Sequence, residues 1–408
     1  MLSQSTGNRY GLRAGLLIDG TGNSPLENAA VLVEDGRIAS VVARDQISTE
    51  PDFELIDLGD DAVILPGLID CHLHLTGDMV ILPHEWVTRS REELYDKAVE
   101  HAGQALRAGV TTLRDCGAPD QVVIQLRDAI ARGEAAGPHI LSSDRCVTTP
   151  GGHGHFMGVE ASGVEAATRA VETVLDTGAD FVKVIASGGG GTPGTYPWDS
   201  QFSEEELCAV VDTAHRRGKP VCAHAHASVA IEYCIDAGVD TIEHVTFITA
   251  EGPCMNDAMV EKLARSSSVV VPTVACYRNP VEAGLPKTFI QKIGMQGMDY
   301  VELHQSNVRQ MLERGVRVVA GTDGVQVGVS PCAARDEARY MAEIAGSNMF
   351  GIQSVTRLAA EAIGVAEDRG TVKAGKRADL LIVERNPLED VHALKDVRAV
   401  IKDGKAID

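Results

Sequence analysis

Short apolar segments alternate with helix-like stretches through the middle of this chain, and that alternation limits the fold more than any other feature. Strand-like runs fall at 63–75, 110–116, 139–147, 181–186, 221–226, 241–246, 268–274 and 316–323. Between most of them lie helical patterns at 92–107, 121–132, 164–177, 203–217, 227–237, 256–266 and 304–314. Ser203, followed three residues later by Glu206, reads as a helix N-cap with its capping-box partner. Repeated β-then-α units require a parallel sheet, and eight of them close into a (β/α)8 TIM barrel, expected over 66–366.

The two ends of the chain resemble each other. Residues 30–42 are apolar–turn–apolar with Asp35-Gly36 at the turn, and 397–408 repeat the pattern with Asp403-Gly404. Asp-Gly suits a two-residue hairpin because both central residues take positive φ. A further apolar strand is expected at 378–383. These segments predict a small β-sandwich domain built from 1–65 plus 367–408.

Composition excludes several functions. Asp plus Glu number 58 and Lys plus Arg 37, a formal charge of −21 that disfavours nucleic acid and anionic membrane as partners. Aromatic residues are 4% of the chain, too few to build stacking platforms for single strands. No apolar run reaches the roughly 20 residues of a membrane span. The nine cysteines show no C-x-x-C spacing, and the first residues show no apolar leader, so a reduced, cytoplasmic protein is expected.

Four signals fall where a barrel displays its chemistry, at the carboxyl ends of strands. His72 and His74 share one strand face and suit a metal. Lys183 sits among Phe181, Val182, Val184 and Ile185, where burial predicts a lowered amine pKa. A neutral amine there can take up carbon dioxide and become a bridging carbamate; the competing reading is an internal ion pair. His224 and His226 share a face of the next strand, so either can be a ligand, and His244 follows on its neighbour. Asp323 ends the last strand, as a metal ligand and proton acceptor or as a helix N-cap. Cys71 and Cys222 are expected on the opposite strand face, in packing roles.

The order histidine pair, lysine, histidine, histidine, aspartate resembles the amidohydrolase superfamily over nearly the whole chain. Residues 370–380 are similar to that family's C-terminal signature. Thr111 to Asp115, Gly151-Gly152-His153 and Ala186 to Gly189 are similar to its branch of imidazolonepropionase-related dipeptidases and prolidases. The resemblance implies two divalent metal ions, most often Zn2+, bridged by carboxylated Lys183. It assigns His72, His74 and Asp323 to the more buried ion, and His224 and His244 to the more exposed one. It also places His153 on the scissile carbonyl. His226 stands where prolidases often carry a carboxylate-holding tyrosine, and matches relatives that prefer basic C-terminal residues. Arg278 is the candidate to hold a substrate carboxylate.

The implied reaction is hydrolysis of an amide bond by metal-bound hydroxide, with Asp323 shuttling the proton and a dipeptide or N-acyl amino acid as the small-molecule substrate. Two rivals stand beside it: hydrolysis of a non-peptide amide, carbamate, urea or cyclic amide, and a non-catalytic barrel scaffold. The glycine-rich stretch 187–195 is expected to be a mobile lip over the site, with Tyr196, Trp198 and Phe202 as an apolar wall. A homo-oligomer through barrel helices is an open expectation.

Overall fold

Alternating apolar residues in the terminal strands set the architecture, because the central strands there face two cores. In a computed structural model, which describes residues 9–43 and 54–407, Ile64, Leu380 and Ile382 point into a small core with Leu12, Val31 and Ile401. Their neighbours Val63, Leu65, Leu381 and Val383 point into the main core. The strands run Lys405–Ile407, Val397–Lys402, Leu380–Val383, Val63–Pro66, Arg9–Leu17, Leu26–Glu34 and Arg37–Ala43 in spatial order, with Glu54–Asp57 also paired to Arg9–Leu17. Pairing thus joins strands from both ends of the chain into one continuous eight-stranded sheet. Residues 1–8, 44–53 and 408 of that expected unit lie outside the described residues.

Both predicted hairpin turns form, with φ of 49° and 76° at Asp35 and Gly36 and of 49° and 74° at Asp403 and Gly404. The two turns touch. A Cβ on Gly36 would meet the Asp403 carbonyl oxygen at 2.7 Å, and one on Gly404 would meet Gly36 Cα at 2.6 Å. Glycine is therefore required at both for conformation and for space.

The middle of the chain is mixed α/β. Leu68–Leu73, Val110–Asp115 and His139–Ser142 form one parallel sheet. Cys146–Thr148, Val182–Ile185, Val221–Ala227, Thr241–Thr249 and Val269–Val271 run parallel in a second. The expected third strand is split because Asp144 adopts φ 54° between its halves. The expected last strand joins no ladder, but segment 316–323 is hydrogen-bonded on both sides. Val270 N donates to Arg317 O at 2.8 Å and Val319 N to Val270 O at 3.0 Å. On the other side Cys71 N donates to Ala320 O at 3.3 Å and Thr322 N to His72 O at 3.1 Å.

The expected helices are present as Arg91–Arg107, Val122–Ala131, Val164–Leu175, Glu204–Arg216, Ser228–Ala237, Asp257–Arg265 and Gly297–Glu313. Ser203 and Glu206 form the predicted capping box. A further helix, Val274–Glu282, carries Pro280 within it. Its first N–H groups, which have no partner within the helix, are satisfied by buried Glu337, which accepts from Val274 N at 3.0 Å and Ala275 N at 2.6 Å. Among the described residues no helix is long and apolar enough to cross a membrane.

Candidate active site

Parallel strands bring residues remote in sequence to one end of the sheets, and the chemistry-bearing side chains collect there around a cavity of about 410 Å³. His72, His74, His153, Lys183, His224, His226, His244 and Asp323 all line it. The candidate ligand atoms of His72, His74 and Asp323 lie within 4.8 Å of one another, and so do those of His224, His226 and His244. Asp323 Oδ1 is 3.4 Å from Nε2 of both His72 and His74. Ring centroids of His72 and His244 stand 5.3 Å apart, so the two groups are contiguous. Backbone at the strand ends turns sharply: His244 and Asp323 have φ of 70° and 53°, uncommon for residues with a Cβ.

Four of these histidines are oriented from behind, while His224 makes its contact through Nε2, 3.4 Å from the Gly188 carbonyl oxygen. His72 Nδ1 donates to Glu243 Oε2 at 2.6 Å, and His74 Nδ1 donates to the Gly117 carbonyl at 3.0 Å. His244 Nδ1 contacts Thr273 Oγ1 at 2.8 Å, and His226 Nδ1 contacts Thr246 Oγ1 at 3.0 Å. Partners on Nδ1 leave Nε2 for the cavity, the arrangement metal-binding imidazoles adopt. Burial, with repulsion among the rings, holds His224, His226 and His244 well below the usual imidazole range. Burial works against the Asp323 carboxylate, but the hydrogen bond from His74, whose own pKa is raised by the same contact, and the imidazoles around it outweigh that cost, so the carboxyl sits well below its ordinary value. Imidazole nitrogens beside an ionised carboxylate are a donor set fit for divalent ions.

Behind the ligands lies a buried polar frame. Arg114 donates to Glu243 Oε1 at 2.9 Å, to Thr241 Oγ1 at 3.0 Å and to the Cys71 carbonyl at 2.6 Å. Glu243 is fully buried, and its other oxygen takes the His72 bond. Asp70 accepts from His72 N at 3.1 Å and Thr322 Oγ1 at 2.7 Å; burial pushes its pKa up to about 6. Arg114 and Glu243 were missed at the sequence level, although a charge inside an apolar strand run was a readable signal.

Several expectations need correction. Cys222 is two residues from His224 and so shares its face: its Sγ lies 3.7 Å from Lys183 Nζ and 3.1 Å from Glu243 Oε1. Burial does work against the Lys183 ammonium, but Cys222, Cys116, Glu243 and Asp323 outweigh it, so its pKa is raised rather than lowered. Arg278 does not reach the cavity. Its guanidinium lies over the Tyr340 ring and is engaged by Glu282 and Glu343.

The glycine-rich stretch is pinned. Lys292 Nζ donates to the carbonyls of Gly189, Thr192 and Thr195 at 2.7 to 3.0 Å. A Cβ on Gly189 would meet His153 Nε2 at 2.6 Å, so bare backbone is what lets the loop lie against that ring. His153 Nδ1 is 2.8 Å from Thr192 Oγ1, and burial, then Lys292, pushes its pKa down to about 4. Tyr196 and Trp198 stack on each other, 4.9 Å apart, and neither they nor Phe202 line the cavity. The apolar wall comes instead from Trp86, Phe156, Met157, Tyr277 and Phe289. Lys287 and Gln326 also line it, from polar loops that gave no sequence signal.

A largely apolar cavity with convergent ionisable groups at strand ends defines an enzyme of small molecules. The chain belongs to the amidohydrolase family, whose sequence profile matches residues 63–407. It is therefore a hydrolase of C–N bonds. It is 28% identical to ochratoxinase from Aspergillus niger over 95% of this chain and 83% of that one. It is 26% identical to imidazolonepropionase from Brucella abortus, with 90% of each chain covered. Among solved structures, a Xaa-Pro dipeptidase with methionine bound in its active site superposes with a TM-score of 0.85 at 29% identity, over 98% of this chain and 100% of that one.

Proposed function

We propose that the chain is a binuclear metal-dependent amidohydrolase that cleaves the amide bond of a dipeptide or N-acyl amino acid. One observation carries this reading: two contiguous ligand groups share one cavity with Asp323. His72, His74 and Asp323 would hold one ion, His224 and His244 the other, and carboxylated Lys183 would bridge them, with zinc the expected metal. His226 lies close enough to His224 and His244 to be the alternative ligand. The scaffold is proposed to be a (β/α)8 barrel over 66–366, with the terminal sheet as a separate unit from 1–65 and 367–408. The hydrogen bonds on both flanks of 316–323 support that closure. Nine cysteines without a disulfide fit a reduced, cytoplasmic setting.

When bound, the ions supply Lewis acidity and a water acidic enough to ionise near neutral pH. Asp323, ionised in the folded state, accepts the proton of the attacking water and returns it to the leaving nitrogen. His153 donates a hydrogen bond to the carbonyl oxygen as charge develops on it. Arg114 and Glu243 hold His72 in one tautomer and one orientation. The apolar wall excludes water from the bound substrate.

A substrate panel tests this reading. Xaa-Pro, Xaa-Arg, Xaa-Lys and Xaa-apolar dipeptides, N-acetyl amino acids and aryl ureas would be assayed with the metal-loaded chain. Amides of α-amino acids are expected to turn over, and turnover of aryl ureas alone would overturn the dipeptidase reading.

A further inference from the structure

Lys287 is the unusual cation of this cavity. Only it and Lys183 bring formal positive charge to the lining, and Asp323 is the sole carboxylate there among the described residues. Other half-buried lysines are met by opposite charge or by several carbonyls: Lys262 by Glu232 and Asp236, Lys292 by three carbonyl oxygens. Lys287 Nζ has two neutral acceptors, Gln326 Oε1 at 2.8 Å and Cys276 Sγ at 3.1 Å, and stands 5.7 Å from the centroid of the Tyr277 ring. An ammonium has three donors, so one remains for a ligand. No ion pair to Lys287 occurs among the described residues. A half-buried cation facing a largely apolar cavity favours an anion that arrives with the ligand.

The position of this ammonium selects which anion. Cys276 Sγ, which contacts Lys287, also donates to Asp323 Oδ2 at 3.1 Å. Lys287 is thus two contacts away from the carboxylate that protonates the leaving nitrogen. In an α-amino acid the carboxyl carbon lies only about 2.5 Å from that nitrogen. A leaving amine within hydrogen-bond reach of Asp323 therefore carries its α-carboxylate into the neighbourhood of Lys287 Nζ. A basic side chain on the same amino acid would find no carboxylate on the wall, which is formed by Trp86, Phe156, Met157, Tyr277 and Phe289.

We propose that Lys287, with Gln326 holding its ammonium in place, binds the free α-carboxylate of the leaving amino acid. The substrates are then amides whose amine half is an α-amino acid with an uncharged side chain. This rests on the hydrolase reading above and replaces both Arg278 as carboxylate ligand and the basic preference suggested by His226.

Two arms test it on the full chain. In the first, kcat/KM is measured for N-acetyl-L-leucine and for its decarboxylated analogue N-acetyl-3-methylbutylamine, on the metal-loaded enzyme. K287M should cost the acid at least about 30-fold more than the analogue, mainly through KM, and K287R should restore most of that difference. In the second, calorimetry follows L-leucine and 3-methylbutylamine binding to the metal-free chain. K287M should weaken L-leucine at least tenfold while the amine binds as to the wild type. Equal losses on both substrates, or L-leucine binding that is absent in the wild type or unchanged in K287M, would overturn the assignment. If the wild type cleaves neither amide, the hydrolase reading fails for acetylated amino acids, and the calorimetric arm still decides the role of Lys287.

Discussion

Asp323→Asn is expected to lower kcat by about 10³-fold while leaving the thermal transition close to that of the wild type. Oδ1 faces Nε2 of His72 and of His74 at 3.4 Å, and Oδ2 accepts from the Cys276 thiol at 3.1 Å. The carboxylate is ionised despite its burial because surrounding imidazoles outweigh the cost of desolvation. Asparagine keeps the shape and one carbonyl oxygen, but it cannot take a proton from water or return it to an amine. Loss of positioned proton transfer costs about 10²–10⁴ in rate. Measuring kcat beside metal content separates loss of the shuttle from loss of an ion. Turnover within tenfold of wild type at full metal loading would remove Asp323 from the proposed role.

Arg114→Met is expected to cost about 3–5 kcal/mol of stability, the range for stranding one member of a buried pair. Glu243 has no exposed surface, and Arg114 is 3% exposed. Removing the guanidinium leaves Glu243 Oε1 with the Cys222 thiol as its remaining hydrogen-bond donor and frees the Thr241 hydroxyl and the Cys71 carbonyl of their bonds. Urea unfolding would read this as a fall in the transition midpoint. The double variant Arg114→Met, Glu243→Met removes both charges and should regain much of the loss. Its activity should nevertheless stay low, because His72 Nδ1 then has no acceptor and the ring is no longer held. A double variant with restored stability and full activity would show that the pair does not orient His72.

Much of the fold is readable before any coordinates, for physical reasons that differ by element. Parallel strands buried on both faces must be continuous apolar runs, so Val182–Ile185 and Val221–Ala227 are visible despite the lysine and histidines within them. Asp35-Gly36 and Asp403-Gly404 announce their turns because few other pairs tolerate two positive φ values. Period-two alternation also places His72, His74 and His224 on the cavity side, and applied consistently it would have placed Cys222 there too. What escaped depends on contacts between distant positions. Arg114 and Glu243 are 129 residues apart, and only folding shows that they pair. The split at Asp144 follows from one backbone angle. Lys287 lies in an ordinary polar loop whose meaning comes from facing Cys276 and Gln326. Arg278 looked suitable by its place after the seventh strand, but Glu282 and Glu343 hold it elsewhere.

The account stands on a pair of divalent ions held by side chains from five segments of the chain. The most direct test is elemental analysis of the purified chain alongside turnover, before and after chelation and for Lys183→Ala. Two ions per chain, activity lost on stripping and regained on adding zinc, and no more than one ion in Lys183→Ala is the predicted result. Full turnover by the stripped chain, or two tightly held ions with wild-type turnover in Lys183→Ala, would contradict it.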